Sequence, residues 1–202
     1  MKNEESQIWL KPVGVVRNEI KGSELLAKPQ EMGDLEEWHL DDRSWEKMME
    51  EVEKIQDVVS ELVIDENLEG ILDGVEAYSH LMVLYWGHFT PPEWRSLTKG
   101  YPMGRMEFPK VGIFATCSPV RPNPILLSVV QLLERKGNVL KVKGLDAIDG
   151  SLLLDIKPYV PSYYARTEVK MADWMVRIGE MFAEAMKHRK KGKLQDKSFV
   201  SE

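Results

Sequence analysis

Apolar residues recur at steps of three and four between residues 43 and 62, which is the spacing of an amphipathic helix. Asp41 or Asp42 is suited to cap the N-terminus of this helix, because a carboxylate accepts hydrogen bonds from the free N–H groups of the first turn. The opposite face is rich in Glu and Lys. The predicted apolar face comprises Trp45, Met48, Met49, Val52, Ile55, Val59 and Leu62.

The pattern changes between residues 75 and 160 to short apolar runs separated by Gly, Pro and Asn, which is typical of strands. Gly137-Asn138 is a favourable turn, and Asp149-Gly150 is a hairpin signal. Residues 8–17 also form a β-rich segment. Because no helix separates the runs, we predict an antiparallel or mixed β-barrel rather than a doubly wound sheet. The predicted strands are residues 81–86, 111–115, 125–133, 139–142 and 152–156.

Helical spacing returns in residues 167–190, where one apolar stripe is typical of a core or dimer contact. We therefore predict a mainly β (α+β) protein, a small barrel with an inserted helix and a C-terminal helix. The barrel domain is expected at residues 1–165, with a helical insertion at about 33–66. A C-terminal helix and basic tail are expected at 166–202. The stripe comprises Met171, Trp174, Met175, Ile178, Met181, Phe182 and Ala185.

The formal net charge of −6 argues against a broad nucleic-acid-binding surface, but the charge is unevenly distributed. Residues 31–76 are acidic, whereas residues 187–193 are basic and form either a local patch or a solvated tail. No apolar run approaches the ~20 residues of a membrane helix, and the first ten residues do not resemble a signal peptide. The single cysteine, Cys117, agrees with a reducing compartment, so a cytoplasmic location is expected.

Several chemistries lack their usual motifs. The chain has neither the glycine pattern of a dinucleotide-binding fold nor a phosphate-binding P-loop. The four histidines are scattered and have no metal-ligand spacing, so no metal site is expected. A nucleophilic role for Cys117 has little support, and a buried small apolar residue is the favoured interpretation for a lone cysteine in a strand-rich region.

Residues 115–125 contain three prolines within six positions, which pre-orders the loop because each proline fixes φ. Arg121 and Asn123 are the hydrogen-bonding side chains between these prolines. A rigid loop with one guanidinium and one amide suits recognition of a polar ligand or phosphate. A structural connector is an equally good interpretation from the spacing alone.

Asp155 lies in an otherwise apolar strand, where a carboxylate is costly unless it is paired, hydrogen-bonded or functional. Lys157 follows two residues later and would share its face in a straight strand. A functional carboxylate and a structural Asp–Lys pair both remain open. His80 and His88 would share a face in a strand through residue 88. Gly87 would allow backbone near His88 to approach a ligand.

Three segments together resemble the TrmO/TsaA-like family of β-barrel S-adenosylmethionine-dependent methyltransferases. Residues 74–81 (GVEAYSHL) are similar to the family's G-L-E-x-F/Y-S-H-L/I. Residues 112–125 (GIFATCSPVRPNPI) resemble G-V-F-A-T-R-S-x-x-R-P-N-P-I. Residues 146–159 (DAIDGSLLLDIKPY) resemble D-x-x-D-G-T-P-x-x-D-I-K-P-Y, and residues 13–17 (VGVVR) resemble the opening strand.

The resemblance implies a homodimer that binds S-adenosylmethionine without a Rossmann domain and methylates the exocyclic nitrogen of threonylcarbamoyl-adenosine beside a tRNA anticodon. Because such a nitrogen is a poor nucleophile, we hypothesise that Asp155 orients or deprotonates the acceptor, with Lys157 and Tyr159 nearby. Arg121 and Asn123 would hold the substrate. The implied cofactor-binding residues are Gln30, Glu31, Met32, His88, Phe89, Cys117, Leu127, Gly150, Ser151, Leu152 and Leu153.

Two departures bear on the substrate. Cys117 stands where the family pattern has Arg, which removes a guanidinium able to hold a phosphate or carboxylate. Leu126 replaces a Gly. A methyltransferase with another RNA or small-molecule acceptor is therefore a second hypothesis. A non-catalytic module that binds S-adenosylmethionine or a partner protein is a third.

Overall fold

The computed structural model describes residues 8–21, 41–68, 70–164 and 167–196. Six strands close into an antiparallel barrel in the order β1-β2-β7-β6-β3-β8, and β4 pairs with β5 as a separate two-stranded sheet. The predicted barrel with added helices is confirmed. The strands are β1 Gly14–Arg17, β2 Val59–Ile64, β3 His80–Trp86, β4 Lys99–Gly100, β5 Val111–Gly112, β6 Ile125–Lys136, β7 Val139–Lys143 and β8 Leu152–Pro158; the helices are α1 Asp42–Asp57 and α2 Asp173–Asp196.

Alternation along the strands fills the barrel interior. In β3, Leu81, Val83 and Tyr85 point inward, while Met82 and Leu84 lie on the outer face. Because successive side chains of a strand point to opposite faces, each strand supplies one apolar row to the core. The fully buried residues include Val16, Leu62, Leu81, Val83, Leu140, Val142, Leu145 and Leu153.

Helix α1 begins as predicted and ends earlier. Asp41 is its N-cap and accepts a 2.7 Å hydrogen bond from the Ser44 N–H. The helix stops at Asp57, and β2 follows, so the prediction of helix through Leu62 is wrong. Leu62 fits both a period of 3.6 and a period of 2, and the β-branched residues around it favour a strand. Six residues within the expected insertion therefore belong to the barrel wall.

One predicted strand and one predicted hairpin turn also differ from expectation. Only residues 111–112 of the predicted 111–115 strand are extended, and a short 3-10 helix, Ile113–Ala115, follows. The backbone turns there because the Ile113 N–H donates to the Thr98 carbonyl and the Ile113 side chain is buried. Residues 149–150 do form a turn, but β7 and β8 are not neighbours, so the turn is not a hairpin.

The two helices share a small second core beside the barrel. Trp45, Met48 and Met49 of α1 pack against Met181 and Phe182 of α2. The Trp45 and Phe182 ring centroids are 6.1 Å apart. Thus part of the predicted stripe of the C-terminal helix is core. Met171 lies before the helix, which begins at Asp173, and is exposed.

The residues that connect β7 to β8 cross one end of the barrel and close it. Leu145 and Ala147 are buried there, and the Tyr85 hydroxyl donates to the Asp146 carbonyl. Around this end lie the end of β3 and the starts of β6 and β8. We call this end, marked by Trp86, Ile125 and Leu152, the rim. No helix among the described residues is both long enough and apolar enough to cross a membrane.

Candidate functional site

The rim brings together three of the predicted site segments. The His88 and Phe89 rings are in contact, with centroids 4.1 Å apart, and His88 Nδ1 lies 3.4 Å from the Ser151 Oγ. The Thr90 Oγ1 donates to the Pro119 carbonyl over 3.2 Å. Residues 88–90, the proline-rich loop and the 149–152 turn therefore form one continuous surface.

Strand β3 ends at Trp86, so His88 lies in the following turn and does not share a strand face with His80. Partial burial of the imidazole lowers the pKa of His88, and a hydrogen bond to the Trp86 backbone opposes this effect. The ring is thus shifted toward its neutral form, which can accept a hydrogen bond at one nitrogen and donate at the other.

The turn before β8 uses its backbone donors internally. The N–H groups of Asp149, Gly150 and Ser151 donate to the carbonyls of Ile20, Val16 and Ile148, respectively. Gly150 adopts φ +82°, a conformation that favours glycine. A ligand at this turn therefore meets side chains and carbonyl oxygens rather than these three N–H groups.

The two leucines of this segment face different environments. Leu153 is fully buried in the barrel core, whereas Leu152 is exposed on the outer face. Leu127 of β6 is also exposed on that face. Leu127 and Leu152 are therefore available for contact from outside the barrel, and Leu153 supports the wall from within.

Arg121 orders the loop that carries it. Its Nε donates to the Ser118 carbonyl over 2.7 Å, and its Nη2 donates to the Thr116 carbonyl over 2.6 Å. Asn123 is exposed. The structural interpretation of the proline-rich loop thus has two specific contacts in its favour, while Asn123 is free to face a ligand.

Cys117 is exposed, so its prediction as a buried apolar residue is wrong. Within residues 113–117, Ile113 is the buried residue, while Phe114 is 83% exposed. Among the described residues, no group of three or more His, Cys, Asp or Glu side chains could hold a metal ion.

A bulge in β8 decides where Asp155 points. Leu84 pairs with Asp155 and Tyr85 pairs with Leu153, which leaves Leu154 as an extra residue between them. The bulge turns Asp155 to the same outer face as Lys157, and the two form an ion pair. The hydrogen bond that the Lys157 ammonium donates to Asp155 raises the pKa of Lys157, and the Coulombic attraction of the carboxylate adds to the effect.

Asp155 also lines a cleft of about 450 Å³. The cleft lies toward the barrel end opposite the rim and is lined mostly by apolar residues, among them Val13, Leu72, Tyr78 and Ile156. Nearby, Tyr159 stacks on Tyr164 with centroids 5.4 Å apart. Of the predicted catalytic residues, Asp155 and Lys157 thus lie in β8 and Tyr159 directly follows it, all beyond the rim residues.

Gln30, Glu31 and Met32 lie outside the described residues. The structure also reveals a rim residue that the sequence analysis did not identify. Arg95 lies over the Trp86 ring, 5.5 Å from its centroid. No motif surrounds Arg95, and only the folded chain places it beside the other segments.

The family model for the tRNA-methyltransferase O N-terminal domain matches residues 46–165. A probable S-adenosyl-L-methionine-binding protein of Pyrococcus abyssi is 44% identical over 114 residues, covering 56% of this chain and 58% of that protein. The tRNA (adenine(37)-N6)-methyltransferase of Escherichia coli is 38% identical over 105 residues, covering 50% of this chain and 44% of that enzyme.

The crystal structure of TrmO from Pseudomonas aeruginosa aligns with a TM-score of 0.54 at 24% identity, covering 83% of this chain and 62% of that structure, which is a likeness of fold. The matched segments thus span about half the length of the two curated relatives. Because the family model covers more than half of the chain and includes the whole rim, this chain belongs to the family of the tRNA-methyltransferase O N-terminal domain.

Proposed function

We propose that this chain binds S-adenosylmethionine at the rim and methylates the exocyclic nitrogen of threonylcarbamoyl-adenosine beside a tRNA anticodon. One observation carries the proposal. The barrel gathers residues 88–90, the proline-rich loop and residues 149–152 on one surface, within the region that the family model covers. These segments are far apart in sequence, and closure of the barrel makes them neighbours.

The side chains at the rim fit a purine nucleoside with a charged tail. Phe89 is 47% exposed and contacts His88, so the pair offers an aromatic surface for a base. The Arg95 Nε is buried and has no hydrogen-bond partner in the described part of the chain, so a donor for an anionic group is available. S-adenosylmethionine would supply an electrophilic methyl group on its sulfonium.

The protein's own contribution is positioning and proton removal. The rim would align the acceptor nitrogen in line with the methyl carbon, and such alignment can supply ~7–11 kcal/mol of the barrier reduction. The acceptor nitrogen would gain the methyl group that the sulfonium supplies, and its own proton would have to leave. In this proposal Asp155 accepts that proton, while Lys157 holds the carboxylate in position through their ion pair.

Asp155 lies along β8 from the rim, so its proposed role as proton acceptor determines where the methyl acceptor must lie. Asp155 and Leu127 flank Leu84 on the outer face, since both pair with it from opposite sides. An acceptor that bridges Leu152 and Asp155 would lie on this face.

We further propose that the protein acts as a cytoplasmic homodimer. The exposed Leu127 and Val129 of this face support a dimer contact, because exposed apolar patches favour association.

The test uses the purified chain, labelled S-adenosylmethionine and tRNA from cells that lack the gene. Transfer of label to tRNA is expected. Nucleoside mass spectrometry should place the methyl group on threonylcarbamoyl-adenosine. Labelling of a different nucleoside or of a small molecule would contradict the proposed acceptor. The absence of any transfer would contradict the proposed methyltransferase activity.

A second candidate is a module that binds S-adenosylmethionine without transferring its methyl group. The archaeal relative at 44% identity is named for binding alone, and Cys117 lacks the charge of the family arginine. Calorimetric binding of the cofactor, together with no transfer to total RNA or protein, would favour this candidate.

A further inference from the structure

Arg95 holds a partly buried guanidinium that the protein itself leaves largely unused. It lies in a short 3-10 helix, Pro92–Ser96, and its Nη2 donates to the Thr90 carbonyl over 3.1 Å. Its Nε is buried without a partner among the described residues. No described carboxylate lies within ion-pair distance of it, in contrast to Arg105 and Arg135. A shielded N–H donor without an acceptor is uncommon, because it loses its hydrogen bond to water on burial and gains none from the protein.

The position of Arg95 is central to the rim. Its guanidinium covers Trp86, and Trp86 pairs with Ile125 on one side and Leu152 on the other. Ile125 ends the proline-rich loop, and Leu152 follows the turn. Thr90, which holds the guanidinium through its carbonyl, also binds that loop through its hydroxyl. The cation therefore lies over the residue that separates the two segments expected to bind the cofactor.

Two other sets of N–H donors at the rim are used within the protein. Arg121 donates through Nε and Nη2 to its own loop, and the N–H groups of residues 149–151 donate to the backbone carbonyls of Ile20, Val16 and Ile148. Cys117 stands where the family pattern has Arg and is exposed without charge. Of these groups, Arg95 is the one with a buried Nε that has no acceptor among the described residues.

We propose that Arg95 binds the carboxylate of the methionine part of S-adenosylmethionine, and so supplies from a neighbouring segment the guanidinium that Cys117 lacks. The inference rests on the proposed cofactor binding at the rim. A carboxylate matches the guanidinium fork in a bidentate manner. A partly buried cation stacked on Trp86 suits a single enclosed carboxylate, whereas RNA phosphates are usually met by exposed Lys and Arg.

The experiment compares two ligands by calorimetry on the full chain. S-adenosylmethionine carries the carboxylate, and 5′-methylthioadenosine lacks the whole amino-acid end. Arg95→Gln is expected to raise the Kd for S-adenosylmethionine about 10- to 100-fold and to change the Kd for 5′-methylthioadenosine less than about twofold. Arg177→Gln is the matched control, because Arg177 also lies over an aromatic ring, that of Phe108, but on α2. It should change neither Kd.

A rescue variant distinguishes the effect of losing the guanidinium from the effect of disturbing the fold. In Arg95→Gln/Cys117→Arg, a guanidinium returns to the rim, and the Kd for S-adenosylmethionine should recover at least tenfold relative to the single variant. Thermal unfolding monitored by circular dichroism reports whether Arg95→Gln stays folded. If it does not, Arg95→Lys keeps the cation but not the fork, and an intermediate loss for S-adenosylmethionine alone is expected.

Three results would overturn the proposal. The first is an unchanged Kd for S-adenosylmethionine in a folded Arg95→Gln protein, including the case in which only RNA affinity and its salt dependence fall. The second is an equal loss for both ligands, which would make Arg95 a support for Trp86. The third is a wild-type chain that binds no S-adenosylmethionine, which would remove the proposed function as well. If Arg95→Gln weakens binding of S-adenosylmethionine alone, but the wild-type chain transfers no methyl group, the role of Arg95 in binding the carboxylate is supported. Only the proposed methyl-transfer reaction is then rejected.

Discussion

Asp155 and Lys157 form an ion pair on the outer face of β8, and the extra residue Leu154 makes this possible. In a regular strand, Asp155 would share the inward face of Leu153, which is fully buried. The bulge turns the carboxylate out of the core and places it where an acceptor from outside the barrel can reach it.

Asp155→Asn tests the proposed proton acceptor. Because an amide has no basic oxygen, methyl transfer is expected to fall about 10²- to 10⁴-fold, while the Kd for S-adenosylmethionine stays unchanged. The pKa of Lys157 should also fall toward its ordinary value, since the carboxylate is what raises it. Single-turnover kinetics and NMR of the Lys157 ammonium group measure the two effects. Full turnover in a folded Asp155→Asn protein would leave Asp155 with a structural role only.

Arg121→Ala tests whether the guanidinium orders the proline-rich loop. The variant loses charge-assisted hydrogen bonds to the carbonyls of Thr116 and Ser118. A decrease of about 1–3 kcal/mol in the free energy of unfolding is expected, measured by urea denaturation. Asn123→Ala is the control, because Asn123 is exposed, and should leave stability nearly unchanged. If Arg121→Ala retains full stability and loses only tRNA affinity, Arg121 is a substrate ligand instead.

The lowered pKa of His88 predicts that the free energy of unfolding depends on pH. Because burial lowers its pKa in the folded state, the folded protein takes up a proton less readily than the unfolded chain. This contribution to stability is present above the unfolded pKa of about 6.5 and is lost as the pH falls below that value toward the folded pKa. NMR titration of the imidazole should give a value below 6.5.

His88→Gln is the matched variant for this titration. It should flatten the change in unfolding free energy between about pH 7.5 and 5.5, since glutamine does not titrate there. An unchanged pH dependence in His88→Gln would show that other groups carry it.

Trp45→Ala tests whether the two helices form a unit separate from the barrel. Trp45 packs on Phe182 and lies under the Arg105 guanidinium, 5.3 Å from its ring centroid. Removing a buried tryptophan is expected to cost about 3–5 kcal/mol in the local stability of α1 and α2. Native-state hydrogen exchange should show faster exchange in both helices and unchanged exchange in β3 and β6.

Leu140→Ala is the contrasting variant for the barrel. Leu140 is fully buried in the main core, so its loss should lower global stability by about 2–5 kcal/mol and accelerate exchange throughout. Equal effects of Trp45→Ala and Leu140→Ala on the barrel strands would mean that the two cores unfold together.

The sequence by itself determined most of the strands, the start of α1 and the composition of the apolar faces. Those features depend on residues close together in the chain: Asp41 caps the helix through a contact three residues away, and Gly137 permits the turn between β6 and β7 through its positive φ. Motif spacing likewise marked Asp155 and the proline-rich loop as candidate sites.

Tertiary structure decided the features that depend on distant partners. Leu62 satisfies both a helical and a strand period, and pairing with β1 and β7 makes it a strand residue. The bulge at Leu154 exists only against β3. Arg95 carries no local signal, and the contact with Trp86 and Thr90 makes it part of the rim. Local propensity cannot encode these outcomes, because their free energy comes from contacts that exist only once the barrel has closed.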